Sequence, residues 1–488
     1  MKENESRIKI GGKAFLLSTG IILALMILSG VLTRVFPAGT FDRVSSDGRT
    51  LVVNGSYREV PRPDYPLWRW FTAPVEILFS QDNLTLIVLI IFIGVVGGSI
   101  AVLESAGVME ALINFLAARF INKKYRLIFI MIFVFMVLSS FVGIYEGMVP
   151  LIIFIIPIAI SLGWDSLTGL GMSLLPLAFG FASSVTNPFT IAVAQRIADL
   201  PLFSGAPLRI LFFLIVLGLV SFFVIRYAKK VEAAPEKSLC FHEDEELRQK
   251  IAVLPSGPAL EKKGAISGGQ GKALLWFVSC IAAAMLLVIA AARHPVFSSL
   301  SFPVMTVFFL AGGIGSGRFA GLRGLRLAGA FGRGIGNMLP GIFLVLLAYS
   351  VKHIITTGMI MDTILYRAGE LIRRSPPLTA AFLIYAVTLG MNFFIGSASA
   401  KAFLMMPILT PLADLVGITR QTAVLAFDFG DGFSNMVFPT NALLLIALSF
   451  STVGYLKWMR WTWKLQLVIL ALCSLFLVLA VKIGFGPF

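Results

Sequence analysis

Apolar runs of about twenty residues, the length a helix needs to cross a bilayer, recur along almost the whole chain between short charged stretches. The first fills residues 14–33, behind Lys2, Arg7, Lys9 and Lys13. It is longer than a signal-peptide core and no small-x-small site follows, so it reads as a retained helix with its basic end inside. Residues 36–83 are polar with no basic excess, which fits the outer side. There, residues 40–44 and 50–53 flank a Ser-Ser-Asp-Gly turn and predict a hairpin, and Trp68 and Trp70 predict a helix at the membrane interface. The run 84–103 returns inward. Residues 104–122 show helical periodicity with charge on one face, and Lys123, Lys124 and Arg126 follow, which predicts an arm on the cytoplasmic surface. Residues 127–163 are apolar but broken at Gly143, Glu146 and Gly147, which admits either two full spans or a re-entrant hairpin with its tip at 142–147. A span at 206–226 ends in Lys229 and Lys230, and residues 229–272 read as a mobile cytoplasmic linker. The second half repeats the order: runs at 273–292, 302–317 and 332–354, an amphipathic arm at 358–374, an apolar pair at 378–417 broken at 396–401, and a last run ending near Val481.

Two interruptions organise the whole. Residues 180–190, GFASSVTNPFT, and residues 430–441, GDGFSNMVFPTN, place helix breakers and hydrogen-bonding side chains inside apolar runs. In hydrocarbon every backbone polar group needs a partner, so such stretches survive only where they are buried in protein or line a site. A shift of 254 residues lays 157–187 on 411–441 without a gap, with seven identities, among them Thr186/Thr440 and Asn187/Asn441; composition alone gives about two. Loop charges place the first arm inside and, by counting spans, the second outside, although Arg367, Arg373 and Arg374 on the second argue the other way. The expected fold is an all-α polytopic membrane protein of two inverted repeats, each with an unwound transmembrane helix, the arrangement of secondary transporters.

Composition supports the class. The chain has 58% hydrophobic and 13% charged residues and a mean hydropathy of +0.91, against about 25% charged in soluble proteins. The net charge of +15 belongs to cytoplasmic loops and not to a nucleic-acid partner. Three scattered cysteines give neither a disulfide framework nor a metal spacing, and His242, His294 and His353 have no partner by spacing. Gly312, Gly313, Gly315 and Gly317 form no phosphate loop and suit close helix packing. No nucleophile elbow, metalloprotease helix or nucleotide motif appears, so the chain reads as no enzyme and as needing no cofactor.

The candidate chemistry sits at the interruptions. Broken helices present free N–H groups to a carboxylate and free C=O groups to a cation. Ser183, Ser184, Thr186 and Asn187, with Ser434, Asn435, Thr440 and Asn441, add neutral oxygens and amides of the kind that hold Na⁺, with Ser184, Asn187, Ser434 and Asn441 as the candidate Na⁺ set. In the plainer reading these groups only satisfy packed backbones. Four charges stand where charge is expensive: Glu146, Lys401, Asp428 and Asp431. Lys401 and Asp428 suit a pair, Glu146 suits a cationic group or a coupling proton, and Asp431, between two glycines, suits a helix cap.

Residues 392–441, NFFIGSASAKAFLMMPILTPLADLVGITRQTAVLAFDFGDGFSNMVFPTN, resemble the signature of the YfcC-type carriers of the C4-dicarboxylate anaerobic carrier family, within the wider ion-transporter superfamily. Residues 183–205, SSVTNPFTIAVAQRIADLPLFSG, and 36–43, FPAGTFDR, resemble the same family, and the linker resembles it least. The resemblance implies an elevator-type transporter: each half gives a re-entrant hairpin and an unwound helix to a moving domain, on a homodimeric scaffold. The hairpin tips would be 142–147 and 396–401, facing the two interruptions, and the resemblance adds Ser397 and Ser399 to the site. The first tip departs from the family pattern, reading Tyr145-Glu146-Gly147 where relatives have adjacent glutamates, and Lys401 and Asp428 stand where many have glutamine. The division expected is 1–83, first helix and extracytoplasmic loop; 84–228, repeat 1; 229–272, linker; 273–331, scaffold helices; and 332–488, repeat 2. The function implied is uptake or exchange of a small carboxylate-bearing solute, an amino acid or C4-dicarboxylate, across the cytoplasmic membrane, coupled to Na⁺, H⁺ or a counter-solute. Arginine/ornithine-like exchange is the alternative, with a channel or membrane enzyme behind it.

Overall fold

The computed structural model describes residues 12–46, 49–80, 83–120, 123–252, 268–291 and 301–486. The basic flank at Lys2, Arg7 and Lys9, the Asp47-Gly48 turn, linker residues 253–267 and His294 lie outside them. Among the described residues, nine helices are long and apolar enough to cross a membrane.

Helix α1 spans Gly12–Val35. Strand β1 (Gly39–Thr40) pairs with β4 (Arg58–Glu59) around the hairpin of β2 (Arg43–Ser46) and β3 (Arg49–Val52). This places the hairpin strand at 43–46, later than the alternation suggests, because Gly39 and Thr40 belong to the outer ladder. Helix α2 (Arg69–Glu76) follows, and the Arg69 guanidinium, hydrogen-bonded to Glu76, holds that carboxyl below its ordinary range. Then come α3 (Asn83–Ser105), the first arm α4 (Val108–Phe120), α5 (Lys124–Val137, extended by a wide turn to Val142) and α6 (Ile152–Ser161). The first interrupted helix is α7 (Ser166–Ala182) with α8 (Ile191–Ile197), followed by α9 (Ala206–Ala233) and α10 (Glu245–Ala252). The second half holds α11 (Gly268–Ala291), α12 (Ser301–Phe319), α13 (Gly324–Thr357), the second arm α14 (Met361–Arg373), α15 (Pro377–Met391) and α16 (Ala398–Val416). Helix α17 (Arg420–Phe433), α18 (Ala442–Ser449) and α19 (Tyr455–Lys482) complete the chain.

Small residues let the helices approach, as membrane packing requires. A methyl group added at Gly334 on α13 would lie 2.2 Å from the Gly97 carbonyl of α3, and Gly98 faces Phe331, so these two helices run antiparallel. Gly313 and Gly317 press α12 on Ser99 and Val102, the packing role expected of that glycine run. Because α3 and α13 are antiparallel, Asn83 and Thr357 share one end, where the 36–80 segment also sits. Asp362 of the second arm accepts from Phe41 N at 2.9 Å and, through both carboxylate oxygens, from Arg43 Nη2, and Tyr57 stacks on Tyr366 at 4.0 Å. The first arm lies at the other end of α3, beside Lys124, which pairs with Glu232 at 2.5 Å. The two arms therefore occupy opposite ends. The basic residues of the second arm are paired locally, Arg373 and Arg374 with Glu370 and Arg367 with Glu59.

The described part of the linker is not a loose tether. Asp244 is buried and accepts from Ser166 N and Oγ at the start of α7 and from Thr452 Oγ1 at the end of α18. Ser238 donates to Asp165, and Lys457 reaches the Leu239 carbonyl. Burial raises the Asp244 carboxyl above its ordinary range. Cys240, within this linker, is fully buried. Hydrogen bonding into both halves overturns the expectation of mobility for residues 235–252.

Candidate solute and ion site

The two interruptions are built alike. Helix α7 begins at Ser166 and α17 at Arg420, positions that the 254-residue shift superposes. Asp165 accepts from Thr168 N and Thr419 from Thr422 N, the same cap at the same place. Just before each cap, Gly163 (φ +90°) and Gly417 (φ +76°) take the left-handed conformation that favours glycine.

At the first break, Ser183 Oγ donates to Phe179 O (2.7 Å), which also accepts from Ser183 N, and Ser184 Oγ to Phe181 O (2.5 Å), a carbonyl of the last turn of α7. The end of α5 seals the rest. Ser140 Oγ donates to Ser183 O, Val185 N to Ser140 O at 3.0 Å, Thr186 Oγ1 to Phe141 O at 2.9 Å and Asn187 Nδ2 to Ser139 O at 3.3 Å, while Asn187 Oδ1 accepts from Phe189 N. At the second break α17 runs on to Phe433, so Gly430, Asp431 and Gly432 are helical and the chain unwinds only at Ser434–Met436 and beyond. These two glycines serve helix approach: a methyl group added at Gly432 would lie 2.1 Å from Ala182 Cα, where α7 and α17 cross in backbone contact. Gly432→Val should therefore force the pair apart and lower stability by about 1–3 kcal/mol, read as a lower melting temperature in detergent. Asn392 closes this break, donating to Asp431 O (3.0 Å), Ser434 Oγ (2.6 Å) and Asn435 Oδ1 (3.2 Å). In the first half Ser139 donates to Leu177 O, the carbonyl superposed on that of Asp431. Asn441 Oδ1 caps α18 by accepting from Leu443 N and Leu444 N, and its Nδ2 donates to Asn435. Between the second tip and the first break, Ser399 Oγ donates to Phe189 O at 2.9 Å.

The buried charges pair differently from the sequence expectation. Helix α16 begins at Ala398, so Lys401 lies in its first turn and not in the break. It is 0% exposed, donates to Asn392 Oδ1 and pairs with Asp431, not with Asp428. The two aspartates are a turn apart on α17, and Asp431 is the one level with the α16 turn; it is thus an ion-pair partner inside a helix, not a cap. Asp428 is 1% exposed and neither of its oxygens accepts a hydrogen bond among the described residues. The cation whose charge bears on it is Arg209 at the start of α9, which the sequence reading did not single out. Arg209 is 2% exposed and donates to the carbonyls of Ser204, Val185 and Phe203. A cation at the fourth residue of an apolar run was the signal that could have found it.

Access divides the candidates. Ser183, Ser184, Asn187, Lys401, Asp428, Ser434, Asn435 and Asn441 are buried. The oxygens of Ser184 and Asn187 are engaged within the first break, and those of Ser434 and Asn441 within the second. Thr186, Ser399 and Thr440 are half-buried, with Thr440 Oγ1 unpartnered, and Ser397 is exposed as the N-cap of α16. Glu146 is exposed between buried Tyr145 and Gly147 and forms no ion pair among the described residues. The titratable side chain that the tips expose is therefore Glu146, because Lys401 and Arg209 are enclosed.

Comparison with known proteins places the chain among carriers. It is 29% identical over 468 residues to the Escherichia coli (strain K12) protein named "Putative basic amino acid antiporter YfcC", covering 90% of this chain and 91% of that one. A Haemophilus influenzae (strain ATCC 51907 / DSM 11121 / KW20 / Rd) protein is 25% identical over 80% of this chain and 75% of its own. Among solved structures, the Alcanivorax borkumensis YdaH transporter aligns over 97% of this chain and 100% of its own, with a TM-score of 0.41 and 18% identity. Neisseria gonorrhoeae MtrF, described as illuminating a class of antimetabolite efflux pumps, aligns over 97% of each chain with a TM-score of 0.42 and 17% identity. The sequence pattern of the C4-dicarboxylate anaerobic carrier family matches residues 15–482, and the chain, an integral membrane protein and not an enzyme, belongs to that family of transporters.

Proposed function

We propose that this protein is a secondary active transporter that moves a small carboxylate-bearing solute across the cytoplasmic membrane, coupled to Na⁺, H⁺ or a counter-solute. The observation that carries the reading is the pair of interrupted helices crossing at Gly432 and Ala182, each sewn to its own apolar pair. Matched caps and arms at opposite ends support inverted repeats, with 84–228 and 332–488 as the repeats and 273–331 as scaffold. In this reading the apolar pairs are re-entrant hairpins, motion is of the elevator type, the protein is a homodimer, and the N-terminus is cytoplasmic with the C-terminus outside. Ser184, Asn187, Ser434 and Asn441 remain the oxygen-bearing set for Na⁺, which would need some of their present bonds to open.

Glu146 favours an amino acid over a C4-dicarboxylate. A dicarboxylate would need an accessible cation at the tips, and both nearby cations are enclosed, whereas Glu146 can receive an amino or guanidinium group. The solute carboxylate is then left to Thr186, Ser397, Ser399 and Thr440 and to backbone N–H groups. Exchange of basic amino acids is the second reading, favoured by the same exposed carboxylate. A thermal-shift panel of amino acids and dicarboxylates, with and without Na⁺, tests the choice. Stabilisation by amino acids is expected, and stabilisation by dicarboxylates alone contradicts it. Glu146→Gln should weaken binding of a cationic amino acid about 10–100-fold, the worth of one hydrogen bond to a charged group. The melting temperature of the free protein should stay within a degree or two, since the side chain is exposed.

A further inference from the structure

The buried charges occur where the repeat does not require them. The 254-residue shift lays Asp428 on Leu174 and Asp431 on Leu177, so one fold accommodates leucine at both positions. Lys401 accounts for Asp431. Asp428 has no such account.

Every neighbouring element presents groups that fail to pair with it. Ser184 and Thr190, flanking the first break, bring their hydroxyls close enough to act on it, but neither meets it in hydrogen-bond geometry: Ser184 donates to Phe181 O and Thr190 to Ser184 Oγ. On α9, Arg209 gives its terminal nitrogens to three carbonyls and its Nε is unpartnered. On α15, Tyr385 Oη is buried and unpartnered, and on α19 the buried Cys473 faces both Tyr385 and Asp428. On α17 itself, Asp431 is a second negative charge one turn away. A carboxylate enclosed this way with no hydrogen bond made to it carries a heavy desolvation cost. A neutral carboxyl does not. A metal cation is disfavoured because Arg209 is already there and the adjacent hydroxyl oxygens are engaged.

We propose that Asp428 is the proton-carrying group of the transport cycle. In the conformation described here its carboxyl holds one proton; in another, water reaches it, the O–H bond breaks, the proton passes to water, and the carboxylate left behind pairs with Arg209, which keeps its charge throughout. The assignment makes H⁺ the coupling ion and moves that role from the exposed Glu146 to an enclosed site. It rests on the transporter reading, but its first test does not.

Infrared spectra of the purified wild type in nanodiscs near neutral pH should show the carbonyl stretch of a protonated carboxylic acid. Asp428→Asn should remove it and Asp431→Asn should retain it. A band absent from the wild type, or unchanged in Asp428→Asn, overturns the proposal whether or not transport is observed. In liposomes at zero membrane potential, wild-type solute accumulation should change about tenfold per pH unit of imposed gradient for one proton per solute. Asp428→Leu, which the repeat shows the fold can hold, should retain its melting profile while accumulation no longer follows the pH gradient. Accumulation by Asp428→Leu that still tracks pH overturns the assignment, whereas a wild type with no flux at all contradicts the transporter reading and leaves the infrared result to stand.

Discussion

Lys401→Met should be among the most destabilising single substitutions in the chain, lowering stability by about 3–5 kcal/mol, because it leaves Asp431 buried without its cation. The loss comes from the charge left behind and not from the value of the pair itself. Lys401 and Asp431 are 0% exposed, and replacing both by apolar groups of similar volume is often neutral or stabilising. The double variant Lys401→Met/Asp431→Leu should therefore recover most of the loss, since Leu177 already fills the superposed position in the first half. Chemical denaturation of the single and double variants gives the coupling directly. Losses that simply add would show that Lys401 does not depend on Asp431, and the staple between α16 and α17 would fall with them. Lys401 also donates to Asn392, so the single substitution should loosen the contact of Asn392 with the second break as well.

Asn187→Ala or Asn441→Ala should abolish transport while the protein still folds. Asn441 caps α18 through two backbone N–H groups, and removing such a cap costs about 1 kcal/mol, too little to unfold a protein with this much buried apolar surface. Asn187 ties the first break to Ser139 and fixes the turn at Phe189. Each side chain sets the path of an interruption, so its loss leaves the helices standing and the site misshapen. Uptake at the background rate, with melting temperatures within a few degrees of wild type, is the expected result. Normal uptake in both variants would contradict the placement of the site at the interruptions.

Much of this was legible in the sequence. The spans, arms, hairpin and two broken apolar pairs follow from hydrophobic period and punctuation, and the Thr-Asn coincidence at 186–187 and 440–441 located the matched turns. Three things were not legible, each for a tertiary reason. Gly430 and Gly432 looked like breakers, but a glycine in a helix also marks a close crossing, and only Ala182 opposite Gly432 distinguishes the two. Lys401 could reach either of two aspartates one turn apart, and where α16 begins decides between them. Arg209 was not singled out because its partners are backbone carbonyls, which carry no residue signature. The linker misled for a related reason: its composition is that of a flexible chain, yet Asp244 finds the open N–H of Ser166.

The two halves are alike where they build the fold and different where they carry charge. Caps, left-handed glycines and hydrogen bonds to one superposed carbonyl recur, while Glu146, Arg209, Lys401, Asp428 and Asp431 have no charged counterpart at the superposed positions. That asymmetry is what a carrier needs if one scaffold is to hold a solute and a coupling ion at different places.

The most direct test is flux in liposomes holding the purified protein, with a Na⁺, pH or counter-solute gradient imposed one at a time. An amino acid should accumulate against its own gradient under at least one of them and stop when that gradient is collapsed. Flux that proceeds only downhill and ignores every imposed gradient would contradict the account and make the protein a passive channel.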